Sequence, residues 1–402
     1  MDAPREQRDF LSYLRSMTAI GASDLHLKVG APPTFRIDGA LFAMDEISCS
    51  TADLEQLIEI VLAPHQREHF VRELELDVAF SLPGVARYRV NICCQRGTVG
   101  ASFRLVPMTI PSLEELCLPP VLGDLVQAPH GLILVTGATG SGKSTTVASM
   151  LEHVNLLATR KIVSIEDPIE YLHKDNRCLI YQREIGQDTH SFGHALRHIL
   201  RQDPDIIMIG EIRDVETLTI ALNAANTGHL VITTLHTADA VQSIQRILTY
   251  YAPHEQDEIR RVLSDNLSAV ISQRLLSRIG GQGRLAAVEV MINTGTIKEY
   301  IINPEKTGLI HDAIQEGATQ YQMQSFDQAL ASMVTRNLVA PEVALHFATQ
   351  PTELALHLQG FSGASNRVWS DAELSALDKP LPSKEPEWLE DKPSGRRMNR
   401  AA

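Results

Sequence analysis

The chain is poor in the residues that build disulfide frameworks and zinc sites. Its 402 residues include five cysteines, and no two of them form a Cys-x-x-Cys pair. Paired cysteines are the usual signature of zinc sites, and small secreted proteins are rich in disulfides. The sequence therefore predicts neither feature, and reduced thiols in a cytosolic protein are the default interpretation. The five are Cys49, Cys93, Cys94, Cys117 and Cys178.

The sequence also lacks a long apolar run and an excess of basic residues. No stretch is apolar for the length that a bilayer requires, and residues 1–8 lack the basic-then-apolar order of a signal peptide. The formal net charge is −13, whereas nucleic-acid-binding proteins usually present a basic surface. We therefore expect a cytoplasmic protein that does not bind nucleic acid.

Tryptophan is almost absent, and both copies fall near the end of the sequence. Trp369 and Trp388 lie after Gly360, where prolines and charges replace helical periodicity. This composition predicts disorder for residues 361–402. A tryptophan in a polar tail either marks a short docking segment or has no function, and the sequence leaves both interpretations open.

What the chain does contain is a phosphate-binding loop. Residues 137–144 read Gly-Ala-Thr-Gly-Ser-Gly-Lys-Ser, the G-x-x-x-x-G-K-S pattern of a P-loop. An apolar run precedes the loop and a helical pattern follows it, as this motif requires. Backbone N–H groups of such a loop contact phosphate oxygens, the lysine reaches the β- and γ-phosphates, and the serine binds Mg²⁺. The predicted ATP-binding residues here are Gly137, Thr139, Gly140, Ser141, Gly142, Lys143, Ser144 and Thr145.

Three further apolar runs are flanked by residues suited to phosphate chemistry. Glu211 follows a buried strand and is expected beside the phosphate loop, where it would hold Mg²⁺ and act on water. Glu166 is the first of three carboxylates at the end of another strand. One of them could orient or deprotonate the attacking water. Alternatively, the three could hold ligands of Mg²⁺ or contact a neighbouring subunit. His229 and His236 bracket a third strand, and an imidazole there either contacts a γ-phosphate or is structural.

The apolar spacing predicts two α/β domains. Residues 1–105 form the first, and the proline-dotted stretch 106–120 is interpreted as a linker in which Ser112 opens a short helix. Residues 121–360 alternate strands with helices, which predicts a parallel sheet flanked by helices, with helices continuing to about residue 358. The predicted strands are 25–29, 35–37, 77–80, 87–92, 132–136, 162–166, 205–209, 230–234 and 286–291, and the predicted N-terminal helices span 10–17 and 51–73.

Arginines cluster in the first of these domains. Arg87, Arg89, Arg96 and Arg104 fall within one short stretch, and the planar guanidinium suits phosphate. Supplied from a neighbouring domain or subunit, such a residue acts as an arginine finger. Salt bridges to acidic residues are the alternative.

The order of these motifs resembles that of the secretion-type hexameric ATPases. Residues 137–144, 165–171, 201–214 and 227–237 are similar to their Walker A, Asp, Walker B and His boxes. Within this group the chain resembles the type IV pilus retraction ATPases, the PilT/PilU family. That closer likeness runs from residue 8 to about 358 through the segments 22–27, 85–91 and 323–328.

The resemblance implies a PAS-like N-terminal domain joined to a RecA-like ATPase domain with a helical C-terminal part. It implies a homohexamer with ATP and Mg²⁺ bound between domains, and a motor that powers pilus retraction and twitching motility. Its implied partners are an inner-membrane platform protein at the pilus base and a paralogous pilus ATPase. The implied catalytic residues are Glu211, Glu166 and His229, the metal ligands are Ser144 and Glu211, and Arg87, Arg89 and Arg104 reach phosphate.

The chain departs from the family pattern in three places, of which the first should have little effect and the last two bear on the subtype. Ala138 replaces a proline usual in the loop, residues 295–302 read more like PilU than PilT, and the last forty residues extend past the common end. An accessory ring subunit of PilU type therefore stays open beside the retraction motor. A pilus-extension or type II secretion ATPase is a further alternative, but those relatives carry a longer N-terminal region and a four-cysteine element after the His box. Here no cysteine follows Cys178.

Overall fold

Helices and one antiparallel sheet build the N-terminal unit. The computed structural model describes residues 9–37, 39–44, 47–107, 109–280 and 283–359, which divide into a first unit ending at 107 and a second beginning at 109. The elements of the first unit are α1 (Phe10–Ala19), β1 (Asp24–Lys28), β2 (Thr34–Ile37), β3 (Ala40–Ala43), α2 (Thr51–Val61), α3 (Pro64–Glu73), β4 (Glu75–Leu82), β5 (Ala86–Gln95) and β6 (Thr98–Val106).

The sheet of this unit has the order β3-β2-β1-β6-β5-β4. The predicted helix over 51–73 is two helices, because Leu62 is extended and Pro64 starts the second one. Proline lacks the N–H that a continuing helix needs but suits a first helical position. Strands β3 and β6 were not predicted.

Tyr88 is the largest fully buried side chain of the first unit. Its ring meets Phe103 edge to face, with centroids 6.5 Å apart, and its hydroxyl donates to the carbonyl oxygen of Leu14 at 2.7 Å. One hydrogen bond thus ties β5 to helix α1 inside the core. Buried hydroxyls of tyrosine usually find such a partner.

The second unit contains the other sheet and most of the helices. Its elements are α4 (Val121–Leu125), β7 (Gly131–Thr136), α5 (Lys143–Leu157), β8 (Lys161–Glu166), β9 (Leu179–Glu184), α6 (Phe192–Ile199), β10 (Ile206–Ile209), α7 (Val215–Asn226), β11 (Leu230–Leu235), α8 (Ala240–Leu248), α9 (Gln256–Asn266), β12 (Leu267–Ser277), β13 (Arg284–Ile292), α10 (Gly295–Ile302), a 3₁₀ helix (Pro304–Leu309), α11 (Ile310–Glu316), α12 (Ala318–Tyr321), α13 (Phe326–Thr335), α14 (Pro341–Phe347) and α15 (Pro351–Leu358).

The seven strands lie in the order β13-β12-β7-β11-β10-β8-β9. Six of them are parallel, as the sequence predicts, but β13 pairs antiparallel with β12. Placing residues 286–291 in a wholly parallel sheet was therefore wrong. The short connection between β12 and β13 permits a hairpin, whereas a parallel pair needs a long crossover. Strands β9 and β12 were not predicted.

Both faces of this sheet are covered. Leu132 and Leu134 of β7 belong to one apolar cluster, which includes residues of α6, α7, α8 and α9. Ile133 and Val135 belong to another, which includes residues of α5. Successive side chains of a strand point to opposite faces, so an uninterrupted apolar run is what a doubly covered strand requires.

The proline-dotted segment 109–120 is part of the second unit. Leu113 and Leu118 are buried in the cluster that contains α5. Ser112 and Glu115 exchange hydrogen bonds of 2.8 and 3.1 Å as a capping pair does, but the segment is a turn rather than the predicted short helix. Cys117 has a φ of 55°, which ends helical geometry. Domain ends at 105, 120 and 360 stay a prediction, and the predicted tail 361–402 lies outside the described residues.

Within the described part of the chain, no helix combines the length and apolarity needed to cross a membrane.

Replacement of Tyr88 by phenylalanine tests the tie between β5 and α1. We expect Tyr88→Phe to lower the free energy of unfolding by about 1–2 kcal/mol, because the carbonyl of Leu14 stays buried without its donor. Urea denaturation followed by circular dichroism measures the change. Tyr321→Phe, on a 41% exposed residue of the second unit, is the control. Equal stability of the two variants would contradict the assignment.

Candidate nucleotide site

Four parallel strands bring their carboxyl ends to one edge of the second sheet. In the order β7, β11, β10 and β8, these ends lead into the P-loop, His236, Glu211 and Glu166 respectively. Crevices at the carboxyl ends of parallel strands are where such sheets bind ligands. The fold therefore collects at one edge residues that lie far apart in the sequence.

The P-loop connects β7 to α5 in a conformation that requires glycine. Gly137 has a φ of 145°, and a Cβ there would lie 2.6 Å from the carbonyl oxygen of Gln273 and 2.5 Å from Oγ of Ser141. Gly140 and Gly142 have φ values of 81° and 92°, in the left-handed region that favours glycine. The loop is thus pressed against β12 at its start and turns sharply at its tip.

Lys143 lies inside the loop. It is 8% exposed, and its Nζ donates to the carbonyl oxygens of Gly137 at 2.8 Å and Ala138 at 3.0 Å. Burial lowers the pKa of Lys143, while the charges of Glu170 and Glu211 oppose this effect. The lysine is held where bound phosphate would offer it stronger, charge-assisted hydrogen bonds.

The residues around Lys143 fit a phosphate group. Gly142 caps α5 without a side-chain hydrogen bond, so the first-turn N–H groups of the helix remain available to an anion. The buried Oγ of Ser141 has no hydrogen-bond partner among the described residues. Thr139 and Gly140 are exposed at the tip, and Ser144 is half-buried at the start of the helix. Thr145 is paired through Oγ1 with the hydroxyl of Tyr171 at 2.9 Å.

Glu211 is held by two neighbouring side chains. One carboxylate oxygen contacts the guanidinium of Arg213, and the other lies 3.5 Å from Nε2 of His236. The hydrogen bond with Glu211 raises the pKa of Arg213, which also lies 3.4 Å from Asp167. Arg213 therefore links the ends of β10 and β8 next to the P-loop.

Glu166 is buried and hydrogen-bonded. Its Oε1 accepts from the hydroxyl of Ser164 at 2.7 Å and from Nε2 of Gln182 at 3.1 Å. Burial raises the pKa of Glu166, although both hydrogen bonds act against this shift. A carboxylate whose pKa is raised toward neutrality is a better proton acceptor than an ordinary one.

His229 does not join this cluster in the subunit. It precedes β11, and its carbonyl oxygen accepts a hydrogen bond from the N–H of Gly131, at the amino end of β7. Its ring contacts the carbonyl oxygen of Ala224 at 3.1 Å. A strand of this length spans about 20 Å, so His229 lies at the opposite edge of the sheet from its own P-loop. The histidine at the phosphate edge is His236.

The predicted phosphate-reaching arginines lie on β5 and β6 of the N-terminal unit. Arg89 and Arg104 are cross-strand partners, and both are exposed, while Arg87 is half-buried. Nε of Arg104 donates to Asp24 at 2.8 Å. Burial alone would raise the pKa of Asp24, but hydrogen bonds from Ser23 and Arg104 outweigh it and lower the value.

The oxygen ligands at the sheet edge suit Mg²⁺ better than a transition metal. Among the described residues, no group of three or more histidine, cysteine or acidic side chains is arranged to hold a metal ion. Mg²⁺ bound with a nucleotide typically takes one or two protein oxygens and receives the remaining ligands from phosphates and water. Ser144 and Glu211 are the residues that would supply those oxygens.

Several residues of the site were not predicted from sequence. They are Arg213, Tyr171, Gln182 and Gln273, whose Nε2 donates to Oγ1 of Thr146 at 2.8 Å. Arg213 follows Glu211 closely, and so it could have been found as a neighbour of a strand-end carboxylate. The other three come from β9, its preceding loop and β12, which were absent from the predicted sheet.

Substituting the first glycine of the loop tests the close approach to β12. We expect Gly137→Ala to lower the thermal unfolding midpoint without nucleotide more than Gly140→Ala does. The added Cβ at 137 meets backbone and side-chain oxygens, whereas none of the neighbouring atoms lies within 4 Å at 140. Gly140→Ala carries only the strain of positive φ, about 1 kcal/mol. Equal losses would show that the contact with Gln273 does not constrain the loop.

The raised pKa of the buried Glu166 carboxyl predicts how the stability of the protein depends on pH. Because its folded pKa is raised above 4.5, the folded protein keeps a proton that the unfolded chain has released, and stability falls as pH rises through this window. The amide introduced by Glu166→Gln does not titrate, so the stability of this variant relative to wild type should increase from about pH 4.5 upward. Urea denaturation at several pH values measures the difference, and parallel curves would contradict the burial effect.

The chain is similar to known proteins over most of its length. Residues 119–350 match the family described as Type II/IV secretion system protein. The chain is 44% identical over 343 residues to the type IV pilus retraction ATPase PilT of Pseudomonas aeruginosa, covering 85% of this chain and 99% of that protein. It is 37% identical over 393 residues to the type IV pilus ATPase PilU of the same organism, covering 97% of this chain and 100% of that protein.

A solved structure extends the likeness to three dimensions. The crystal structure of the pilus retraction motor PilT with bound ADP superposes with a TM-score of 0.81 at 41% identity, covering 87% of this chain and 99% of that one. The predicted family, the mixed α/β fold and the ATPase class are confirmed, and nucleotide binding is supported by the ADP-bound neighbour. The chain thus belongs to the type II/IV secretion system protein family and is a P-loop ATPase.

Proposed function

We propose that this protein hydrolyses ATP with Mg²⁺ to power type IV pilus retraction, and hence twitching motility. The observation that carries the proposal is the convergence of Lys143, Glu211 and His236 at one sheet edge, in a chain similar to PilT. A P-loop lysine beside a strand-end carboxylate is the arrangement that phosphoryl transfer to water needs.

In the proposed reaction, Lys143 exchanges the carbonyls of Gly137 and Ala138 for oxygens of the β- and γ-phosphates. The N–H groups of the first turn of α5 contact the same phosphates. Ser144 and Glu211 would hold Mg²⁺, which would supply positive charge to offset that of the phosphates. Glu211 also orients the attacking water, and Glu166 assists as a proton acceptor.

The remaining roles follow from the family and stay predictions. His229, at the far edge of its own sheet, has no proposed part in the phosphate chemistry of its own subunit, and His236 takes that place. Arg87, Arg89 and Arg104 are proposed to reach phosphate. We propose that six subunits form a ring in the cytoplasm and act on a platform protein at the inner membrane, with a paralogous pilus ATPase as a further partner.

A second candidate is an accessory ring subunit of PilU type. The observation in its favour is that the match to PilU extends over 97% of this chain, against 85% for PilT, although the identity is lower. Residues 295–302, which form α10, also read more like PilU. Such a subunit would bind ATP but contribute little motor activity by itself.

Two substitutions separate nucleotide binding from turnover. We expect Lys143→Ala to weaken ATP binding and abolish hydrolysis, because it removes the cation that meets the phosphates. Glu211→Ala should bind ATP within a few-fold of wild type and lose about 10²-fold or more in kcat, since its carboxylate acts on water and metal. Fluorescent-nucleotide titration and phosphate release measure the two quantities. Equal loss of ATP affinity in both variants would contradict these roles.

The cellular function is tested by deleting the gene and complementing it with wild type or Glu211→Ala. Excess, non-retracting pili that only wild type corrects would establish the retraction motor. Loss of all pili would move the protein to the extension class. Normal pili, or rescue by Glu211→Ala, would favour the accessory subunit.

A further inference from the structure

A buried glutamate outside the nucleotide site stands in line with the P-loop strand. Glu289 of β13 is 1% exposed. Its Cα pairs with that of Ser272 on β12, and Ser272 pairs with Thr136, the last residue of β7 before the P-loop. Side chains at paired positions point to the same face of a sheet. Glu289 therefore shares a face with the residue that leads into the loop.

Members of this row make two hydrogen bonds. Oγ1 of Thr136 donates to Oγ of Ser272 at 3.0 Å, and Glu289 stands at the position of β13 that pairs with Ser272. Oε1 of Glu289 accepts the backbone N–H of Ala240 at 2.9 Å. A row of three polar side chains thus runs across the sheet from the entry of the P-loop to Glu289, which holds the first residue of helix α8.

The start of α8 determines where His236 lies. Only three residues separate His236 from Ala240. Two of them are tied to the helix, since Oγ1 of Thr237 meets Oγ of Ser243 at 2.7 Å and Asp239 accepts the N–H of Gln242 at 2.8 Å. The loop 236–239 therefore moves with the first turn of α8, and Glu289 anchors that turn.

We propose that Glu289 is a positioning residue of the ATPase site, which fixes the loop 236–239 relative to the P-loop so that His236 meets Glu211. The proposal rests on the proposed roles of Glu211 and His236. It assigns to Glu289 no contact with substrate, because its carboxylate is enclosed by β12, α8 and α11.

The charged groups around Glu289 come from each of these elements. Nδ1 of His311 on α11 lies 4.0 Å away, Arg274 is on β12, and Asp239 is the N-cap residue of α8. Burial and the charge of Asp239 raise the pKa of Glu289 to about 7, although the Ala240 N–H, Arg274 and Ser272 oppose the shift. The charge of this acid therefore changes near neutral pH.

A negative charge strengthens the contact that positions the loop. An ionised carboxylate is a stronger acceptor than a neutral acid or amide, and it is favoured at a helix N-terminus. Glutamine keeps an acceptor oxygen for the Ala240 N–H but cannot ionise. Glu289→Gln therefore reproduces the protonated form of the native residue, and Glu289→Ala removes the anchor.

The first test separates kcat from KM in the full-length protein. We expect Glu289→Ala to lower kcat for ATP about tenfold, the effect of losing one charge-assisted hydrogen bond, with KM within about twofold because the P-loop is untouched. Glu289→Gln should recover most of this loss at about pH 6. Unchanged kcat in folded Glu289→Ala would overturn the proposal.

The second test measures how the ratio of the wild-type kcat to the Glu289→Gln kcat depends on pH. We expect kcat of wild type divided by that of Glu289→Gln to rise from about 1 at pH 6 to about 5 at pH 8, as the native carboxyl ionises. Other titrating groups are common to both proteins and cancel in the ratio. A ratio that does not change with pH would overturn the link between the charge of Glu289 and the site.

Asp327 provides a matched control. It is also buried, and it accepts the backbone N–H groups of Thr349 and Gln350 at 2.7 and 2.8 Å, among the C-terminal helices. Asp327→Ala should lose stability as Glu289→Ala does but keep its kcat. Equal loss of kcat in both variants would reduce Glu289 to a structural residue.

Hydrogen exchange tests the contact between Glu289 and Ala240 without requiring ATP hydrolysis. The amide of Ala240 should exchange at least about tenfold faster in Glu289→Ala than in wild type, while amides near residue 349 are unchanged. If wild type hydrolyses no ATP, the proposed function fails, and the exchange result still decides whether Glu289 anchors the loop. Unchanged exchange at Ala240 would overturn the anchor itself.

Discussion

The parallel alignment of β7, β11, β10 and β8 is the constraint on which the nucleotide site depends. Because these strands run in one direction, the segments that follow them arrive together at one edge of the sheet. The P-loop, His236, Glu211 and Glu166 are brought together in this way, although no two of their segments are adjacent in sequence. The same geometry sends His229 to the other edge. Whether a residue that flanks a strand can contribute to the site therefore depends on which end of the strand it lies at.

The side chains of the site are engaged with one another. Lys143 contacts two carbonyls of its own loop, Glu211 contacts Arg213, and Glu166 accepts two hydrogen bonds. A phosphate group must replace the contacts of Lys143, whereas the first-turn N–H groups of α5 and Oγ of Ser141 have no side-chain partner among the described residues to give up. Because hydrogen bonds are exchanged and not simply gained, the net free energy of binding is smaller than the new contacts suggest.

Local spacing was enough to predict the P-loop, because its glycines and lysine are neighbours in sequence and its strand and helix flank it directly. The five predicted strands of the second unit were found because doubly covered strands are uninterrupted apolar runs. The position of His229 could have been inferred from the sequence, since the residue before a strand predicted parallel to β7 must lie at the amino end of the sheet. The antiparallel β13 and the contacts of Tyr171 and Gln182 depend on long-range pairing, which no local pattern carries.

Glu289 illustrates how an acid in a core can serve two purposes. A packed apolar side chain would stabilise β13 at least as well, since burying a carboxyl has a desolvation cost that only its hydrogen bonds offset. What an apolar residue could not do is accept the N–H of Ala240 from the position that pairs with Ser272, next to the P-loop strand. The burial needed for that connection is the cause of its raised pKa. Rigid placement of the loop 236–239 and sensitivity of that loop to protons therefore arise from a single side chain.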